Sequence, residues 1–125
     1  MMNKRVINKG ILEIYDHQEN LIFTIDEKIE NDLLKMILNG QLKNEVAHEF
    51  EDELIAALTV CPHIEIDFEG VTYIASMALR SLLSAQQMID DIEDASMLLI
   101  NVPKETMSIF EESGFIEILS INPLK

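Results

Sequence analysis

The sequence contains few residues of the types that interrupt or cross-link a chain. Its 125 residues include four glycines, three prolines, one cysteine and no tryptophan. The lone Cys61 cannot form an internal disulfide, which indicates a reducing compartment and hence the cytoplasm. With 48% hydrophobic residues, this composition is not that of a disordered or low-complexity chain, and it predicts one folded domain.

Basic residues and long apolar runs are also scarce. Nine Lys and Arg face 23 Asp and Glu, a net charge of −14, which argues against nucleic-acid binding and against docking on an anionic membrane. No apolar run reaches the ~20 residues of a membrane span. The basic start MMNKRVINKG has no apolar segment behind it, so we expect no signal peptide.

The first part of the chain predicts strands. Residues 1–20 are expected to be an N-terminal extension that contains one short strand at 11–15. Two apolar, β-branched segments, 21–25 and 33–38, predict the next two strands. The second of these is expected to stop at Asn39-Gly40, a turn-forming pair.

Helix and strand patterns then alternate. Glu45–Leu58 has apolar residues every four positions and predicts an amphipathic helix capped by Asn44. The alternation in 64–68 predicts a strand, and Gly70 is expected to turn the chain. A second helix is predicted to begin near Met77.

The last third of the chain repeats this order. Residues 97–100 predict a buried strand. Pro103 suits the first turn of a third helix, and Gly114 suits its C-cap. Strand–helix–strand units imply parallel pairing with right-handed crossovers. The sequence therefore predicts a single α/β domain over 21–125, with a mixed, mostly parallel sheet and three main helices packed on it.

Several side chains are candidates for catalytic or metal-binding groups. Cys61 and His63 are close in sequence, but zinc sites need three or four ligands and only His17 and His48 remain. Glu65 and Asp67 lie on one face of a predicted strand. They could form a functional carboxylate pair, but the simpler interpretation is a solvated strand face. No glycine-rich nucleotide loop is present. We therefore expect no metal, no cofactor and no enzymatic activity.

Acidic residues are concentrated around the first predicted helix. Residues 44–79 contain eight Asp and Glu and no Lys or Arg. Such a run is usually a solvated helix face. It also produces a negative surface that could steer a basic protein partner.

Ser76 stands where a strand runs into the second helix. A serine at that position is either an N-cap, which stabilises a helix by about 1 kcal/mol, or a phosphoacceptor whose phosphate would meet the free amides of the helix N-terminus. The residues alone leave both readings open.

Three segments together resemble the STAS domain family of anti-sigma factor antagonists and sulfate-transporter C-terminal domains. They are LLKMILNGQL at 33–42, IEIDFEGVTYIASMALRSLL at 64–83, and VPKETMSIFEESGFIEILSI at 102–121. The resemblance covers about residues 21–121. It implies a small STAS-type (SpoIIAA-like) fold and a cytoplasmic, bacterial regulatory protein that acts by partner switching in transcription regulation.

The resemblance also implies a mechanism. The family's partner is an ATP-binding serine kinase that doubles as an anti-sigma factor, and a serine phosphatase reverses the phosphorylation. By position, the phosphoacceptor is Ser76, and the chain is expected to be a monomer or weak dimer. The expected partner-binding residues lie in the 40–44 turn and at the start of the second helix. They are Gly40, Gln41, Lys43, Asn44, Ala75, Met77, Ala78 and Arg80.

The chain departs from the family signature. Ala75 replaces the signature aspartate, Met77 the second hydroxyl and Ala78 the glycine, while Lys43 replaces an acid in the Gly-x-Leu-Asp turn. An alternative is therefore a STAS scaffold or ligand sensor that is not switched. A receiver-like aspartyl phosphoacceptor and a small enzyme using Glu65, Asp67 or Cys61 are less consistent with the pattern.

Overall fold

The strands form one mixed sheet, built in the order of the sequence. The computed structural model describes residues 3–125 and places all seven strands in a single sheet, with the order β1-β2-β3-β4-β5-β6-β7. The first four pair antiparallel, and the last four pair parallel. They are β1 (Lys4–Asn8), β2 (Ile11–Tyr15), β3 (Leu21–Glu30), β4 (Leu33–Leu42), β5 (His63–Ile74), β6 (Ser96–Val102) and β7 (Ser120–Pro123).

Three helices connect the parallel strands. They are α1 (Asn44–Val60), α2 (Ser76–Asp90) and α3 (Lys104–Ser113), and a 3₁₀ turn at Phe115–Glu117 precedes β7. Because each crossover moves to the next strand in the same direction and crossovers are right-handed, all three helices pack on one face of the sheet. In residues 3–125, no helix combines the length and apolar content needed to cross a bilayer.

The core lies between this sheet face and the helices. Alternate residues of the central strands point into it, and Phe50, Leu54 and Leu82 close it from the helices, each fully buried. Phe68 of β5 and Phe110 of α3 meet edge to face, with ring centroids 6.2 Å apart. This packing confirms the predicted α/β architecture with three helices on a mixed sheet, in which three of the six strand pairings are parallel.

Two predicted strand ends are wrong, and both fall at glycines. β4 continues through Asn39 and Gly40 to Leu42, and β5 continues through Gly70 to Ile74. A Cβ on Gly40, whose φ is 122°, would lie 2.7 Å from the carbonyl oxygen of Ile22 on β3. A Cβ on Gly70 would lie 2.9 Å from Asn39. These glycines therefore permit close strand packing instead of ending a strand.

Helix boundaries differ from the sequence prediction by one or two residues. Pro103 is the N-cap of α3 and lies just before the first turn predicted for it. Gly114, with φ 81°, is the C-cap of α3, as predicted. The β3–β4 hairpin turns at Asn31 and Asp32, because β3 runs on to Glu30.

The N-terminal residues add two strands to the sheet. β2 occupies the predicted 11–15 range, and β1 was not predicted, because KRVIN has little apolar alternation. Two contacts attach β1 to α1. Arg5 forms a salt bridge with Glu53, and the Asn3 side-chain amide donates to the Glu45 carbonyl oxygen at 2.7 Å.

A pair of carboxyl groups lies between β3 and α1. Glu27 is half-buried and forms a side-chain hydrogen bond with Glu53, the residue that also binds Arg5. Burial, this hydrogen bond and the charge of Glu53 raise the pKa of Glu27 from 4.5 to about 7. At neutral pH the pair therefore holds a proton for part of the time, and the proton joins two side chains that would otherwise repel each other.

Truncation of core side chains should destabilise the protein strongly. Leu82→Ala and Phe110→Ala each remove a fully buried side chain and should lower the free energy of unfolding by about 2–5 kcal/mol. Met88→Ala, at a partly exposed position of α2, is the matched control and should cost much less. Urea denaturation measures all three, and midpoints near that of the unaltered protein for both core variants would show that the core is misassigned.

Glu27 should make stability depend on pH. Because folding raises the pKa of Glu27, the folded state binds more protons than the unfolded state. The stabilisation from protonated Glu27 is therefore complete below about pH 4.5 and is lost as pH rises through about 7. Glu27→Gln should therefore be more stable than the unaltered protein at pH 8 by about 1–2 kcal/mol, a figure reduced for partial solvent exposure. Glu30→Gln, an exposed position of the same strand, serves as control. Chemical denaturation measures the difference in unfolding free energy between Glu27→Gln and the unaltered protein. The same difference at pH 5 and at pH 8 would refute this assignment.

Candidate functional site

The candidate site lies where β4 and β5 end side by side. The two strands are parallel, and their last paired residues are Gln41 with Tyr73 and Leu42 with Ile74. The amide of Ala75 extends this pairing by donating to the Leu42 carbonyl oxygen at 2.8 Å. Because α1 and α2 begin directly after these strands, their N-termini lie next to each other at one edge of the sheet.

Ser76 is the first residue of α2, so of the two readings that the sequence left open the N-cap reading is excluded. The N-cap is Ala75, which has extended dihedral angles of −92° and 165° and whose carbonyl accepts from the Leu79 amide. The Ala75–Leu42 hydrogen bond keeps the chain extended up to Ala75, and the helix begins at Ser76, one residue earlier than a serine cap at position 76 would require. Ser76 is exposed, and within residues 3–125 its hydroxyl has no capping hydrogen bond.

Asn44 caps α2 from outside that helix. It was predicted to be the N-cap of α1, but Lys43 holds that position in extended conformation, and Asn44 is the first helical residue. The Asn44 side-chain oxygen instead accepts from the Met77 amide at 3.3 Å. Ala75 has no side-chain acceptor, so the neighbouring helix supplies the group that a polar cap residue would normally provide.

Four of the sequence-predicted residues line one open depression. It has a volume of about 590 Å³ and is lined by Gln41, Lys43, Asn44, Glu45, Tyr73 and Ala75. Gly40 lies beside it, in a smaller depression that also includes Lys43 and Glu45. The structure therefore joins the 40–44 segment and the end of β5 into one surface.

Met77 and Arg80 lie in a separate groove between α1 and α2. It has a volume of about 190 Å³ and is lined by Ala47, His48, Glu51, Met77, Arg80 and Ser81. Lys43 and Arg80 are the only Lys or Arg between residues 36 and 103. Lys43 therefore lies in the depression that includes Ala75, and Arg80 lies in the groove that includes Met77, the two chain neighbours of the exposed Ser76.

Two of the predicted binding residues offer almost no exposed surface. Ala78 is fully buried in the core, and Ala75, which lines the depression, is only 6% exposed. The side chain of Ala78 therefore cannot touch a partner. Ala75, where the family signature has an aspartate, offers only a buried methyl group at this edge.

Sequence reasoning missed Tyr73, which is 49% exposed. The inward residues in the first half of β5 are Ile64, Ile66 and Phe68. If this alternation continued with no inserted residue, residue 73 would point outward. The strand pairing shifts twice, near Asn39–Gly70 and at Gln41–Tyr73, so alternation alone does not assign a face beyond Gly70. The one available signal was an aromatic side chain two residues before the helix N-cap, Ala75.

The other chemical candidates are dispersed. Glu65 and Asp67 lie on the sheet face without helices, where Asp67 accepts from the Glu69 amide at 2.9 Å and from the Asn101 side chain at 3.2 Å. Cys61 is buried at the end of α1, and His63 contacts Ser96, with Nδ1 2.8 Å from the hydroxyl oxygen. Residues 3–125 contain no group of three or more potential metal ligands.

Removal of the Asn44 side chain should destabilise the junction of the two helices. Asn44→Ala deletes the acceptor for the Met77 amide and should lower the free energy of unfolding by about 1 kcal/mol. Asn44→Asp keeps an acceptor near a helix N-terminus and should cost less. Thermal denaturation measures both, with Asn122→Ala as an exposed asparagine control. Equal stability of the alanine and aspartate variants would contradict the capping role.

Comparison with known proteins assigns this architecture. The family model described as "Mlab, STAS domain" matches residues 25–120, which excludes β1 and β2. No curated protein matches the chain.

Solved structures of anti-sigma factor antagonists share the fold at low sequence identity. One from Thermotoga maritima superposes with a TM-score of 0.72 at 18% identity, over 78% of this chain and 85% of that chain. One from Mycobacterium paratuberculosis gives 0.73 at 14% identity, over 81% and 86%. Unphosphorylated SpoIIAA gives 0.67 at 14% identity, over 78% and 86%. At these identities the likeness concerns the fold.

Proposed function

The chain belongs to the STAS domain family, and on that premise we propose that it is an anti-sigma factor antagonist. It binds an anti-sigma factor that is also an ATP-binding serine kinase, and the kinase phosphorylates Ser76. The unphosphorylated chain binds this partner and releases the sigma factor. The proposal takes residues 21–125 as the binding domain and residues 1–20 as an extension of its sheet.

The observation that carries this proposal is the position of Ser76. Its hydroxyl is exposed at the first position of α2, beside a depression and a groove that hold most of the predicted binding residues. A kinase can reach such a hydroxyl without unfolding the chain. A phosphate there would add about −1.5 to −2 charges at pH 7, in the middle of the surface that we assign to the partner.

The partner surface combines exposed apolar side chains with acids. Tyr73 and Met77 are 49% and 46% exposed, and Glu45, His48 and Glu51 of α1 border them. Aromatic and methionine side chains are enriched at protein interfaces, and the acids of α1 favour a basic surface on the partner. The chain acts here by binding and not by catalysis.

Direct phosphorylation tests this function. The purified chain is incubated with ATP and a candidate serine kinase anti-sigma factor from the same genome, and the modified residue is identified by mass spectrometry. We expect phosphate on Ser76 and none after Ser76→Ala. Ser84→Ala, which removes another exposed serine of α2, should leave phosphorylation unchanged.

A second candidate function is a STAS scaffold that is never switched. The buried methyl group of Ala75 favours it, since no acidic side chain stands next to the hydroxyl. It predicts partner binding through Tyr73 and Met77 but no phosphate on Ser76 with any such kinase. A complex that forms equally well with Ser76→Asp would support this function over the first.

Lys43 should moderate the effect of a charge at Ser76. Lys43 lies in the same depression as Ala75, so its ammonium partly neutralises a negative group on the next residue. Ser76→Asp should therefore weaken partner binding, and should weaken it more when Lys43 is also changed to Asp. The double-mutant cycle should give a coupling of about 0.5 kcal/mol or more.

Isothermal titration calorimetry measures this cycle, with Lys35→Asp as a matched control because Lys35 lies near the start of β4, away from the depression. Additive effects at Ser76 and Lys43 would show that the two side chains do not interact.

A further inference from the structure

β1 forms one edge of the sheet, and one side of its backbone faces away from β2. The β1–β2 hairpin has a two-residue turn, Lys9-Gly10, in which both residues have positive φ (52° and 84°). In such a turn the flanking residues, Asn8 and Ile11, form a hydrogen-bonded pair. Hydrogen-bonded pairs recur at every second residue, so the backbone groups of Arg5 and Ile7 point away from β2.

These outward groups have no partner in the part of the chain that the structure describes. Within residues 3–125, no turn, loop or side-chain hydrogen bond reaches the backbone of Arg5 or Ile7, and the register gives the β1–β2 ladder bonds to Lys4, Val6 and Asn8. β1 has neither a proline nor a bulge in its pairing with β2, and its protection as an edge is limited to its short length and to the charges of Lys4 and Arg5, of which Arg5 is bound to Glu53. The opposite edge, β7, is only four residues long, ends in Pro123 and has a shifted register. Natural sheets usually protect their edges in the way that β7 does.

We propose that β1 pairs antiparallel with β1 of a second copy of this chain. With a two-fold axis at Val6, Arg5 of one chain forms a hydrogen-bonded pair with Ile7 of the other, and this happens twice. The outward N–H and C=O groups of both residues are then satisfied by four interchain hydrogen bonds. The two sheets become one continuous sheet of fourteen strands.

Side chains in this register are compatible. Ile7, at 68% the most exposed large hydrophobic side chain in the described residues, lies opposite the aliphatic part of Arg5, whose guanidinium is already bound to Glu53 of its own chain. Val6 lies opposite Val6, and Lys4 lies opposite Asn8. No like charges face each other directly, which would destabilise the pair.

Charge also selects this edge for self-association. The chain has a net charge of −14, so two copies repel each other over most of their surface. Residues 1–12 contain no acid but include Lys4, Arg5 and Lys9, three of the nine cationic residues. Since Val6 pairs with Glu13, Lys4 of one copy lies on the same sheet face as Glu13 of the other. The β1 edge is therefore the surface where two acidic copies repel each other least, and Lys4 of each copy near Glu13 of the other offsets the repulsion between the two basic edges.

The interface is small, so the dimer should be weak. A five-residue strand buries much less than the ~1,200 Å² of a standard complex. Sedimentation equilibrium from about 10 µM to about 1 mM covers the affinities of such interfaces. The expected result is a monomer at the low end and a growing dimer fraction at the high end. A monomer throughout this range would overturn the proposal.

Two variants locate the contact. Ile7→Pro removes an outward N–H that β1–β2 pairing does not use, a change that edge strands tolerate, and should weaken dimerisation at least about tenfold. Ile7→Val keeps this N–H and serves as the matched control. A proline variant that dimerises as strongly as Ile7→Val would exclude pairing through β1.

Amide hydrogen exchange of the unaltered protein gives an independent readout. Lys4, Val6 and Asn8 should be protected at any concentration by β2. Arg5 and Ile7 should become protected only as concentration rises. Concentration-dependent protection at β7 or around Ser76, without a change at Arg5 and Ile7, would assign self-association to another surface and contradict the proposal.

Discussion

The parallel pairing of β4 with β5 is the constraint on which the candidate site depends. It aligns the ends of two strands and continues through the Ala75–Leu42 hydrogen bond, so that two helices begin side by side. Asn44 then uses its position at the start of α1 to cap α2. A shift of this pairing by one residue would turn Gln41 and Tyr73 away from the depression and bury polar groups in the core.

The close strand packing at Gly40 and Gly70 maintains that register. Each glycine allows a neighbouring strand to approach to a distance at which a methyl group would collide. This explains why residues that predict turns lie within long strands, and why β4 and β5 extend several residues beyond their apolar segments. The extensions carry Gln41 and Tyr73, and therefore part of the surface that we assign to the partner.

The sequence predicted the elements that have a strong period or a distinct cap, and it failed where tertiary contacts decide. The apolar stripe of α1 and the C-cap at Gly114 were readable because each depends on local residues. Three features depend on how two strands are paired, which no local pattern encodes. They are the cap at Ala75, the hydrogen bond from the Met77 amide to Asn44 of the neighbouring helix, and the exposure of Tyr73. β1 was missed for the same reason, because Arg5 and Asn3 attach it to α1 through single polar contacts.

The central claim is that the 41–45 and 73–80 segments form the surface that binds a serine kinase anti-sigma factor. Hydrogen–deuterium exchange of the chain, with and without that protein, tests it most directly. We expect added protection at 41–45 and 73–80, and no change on the sheet face that carries Glu65 and Asp67. Protection confined to that face, with both segments unchanged, would contradict the assignment of the site.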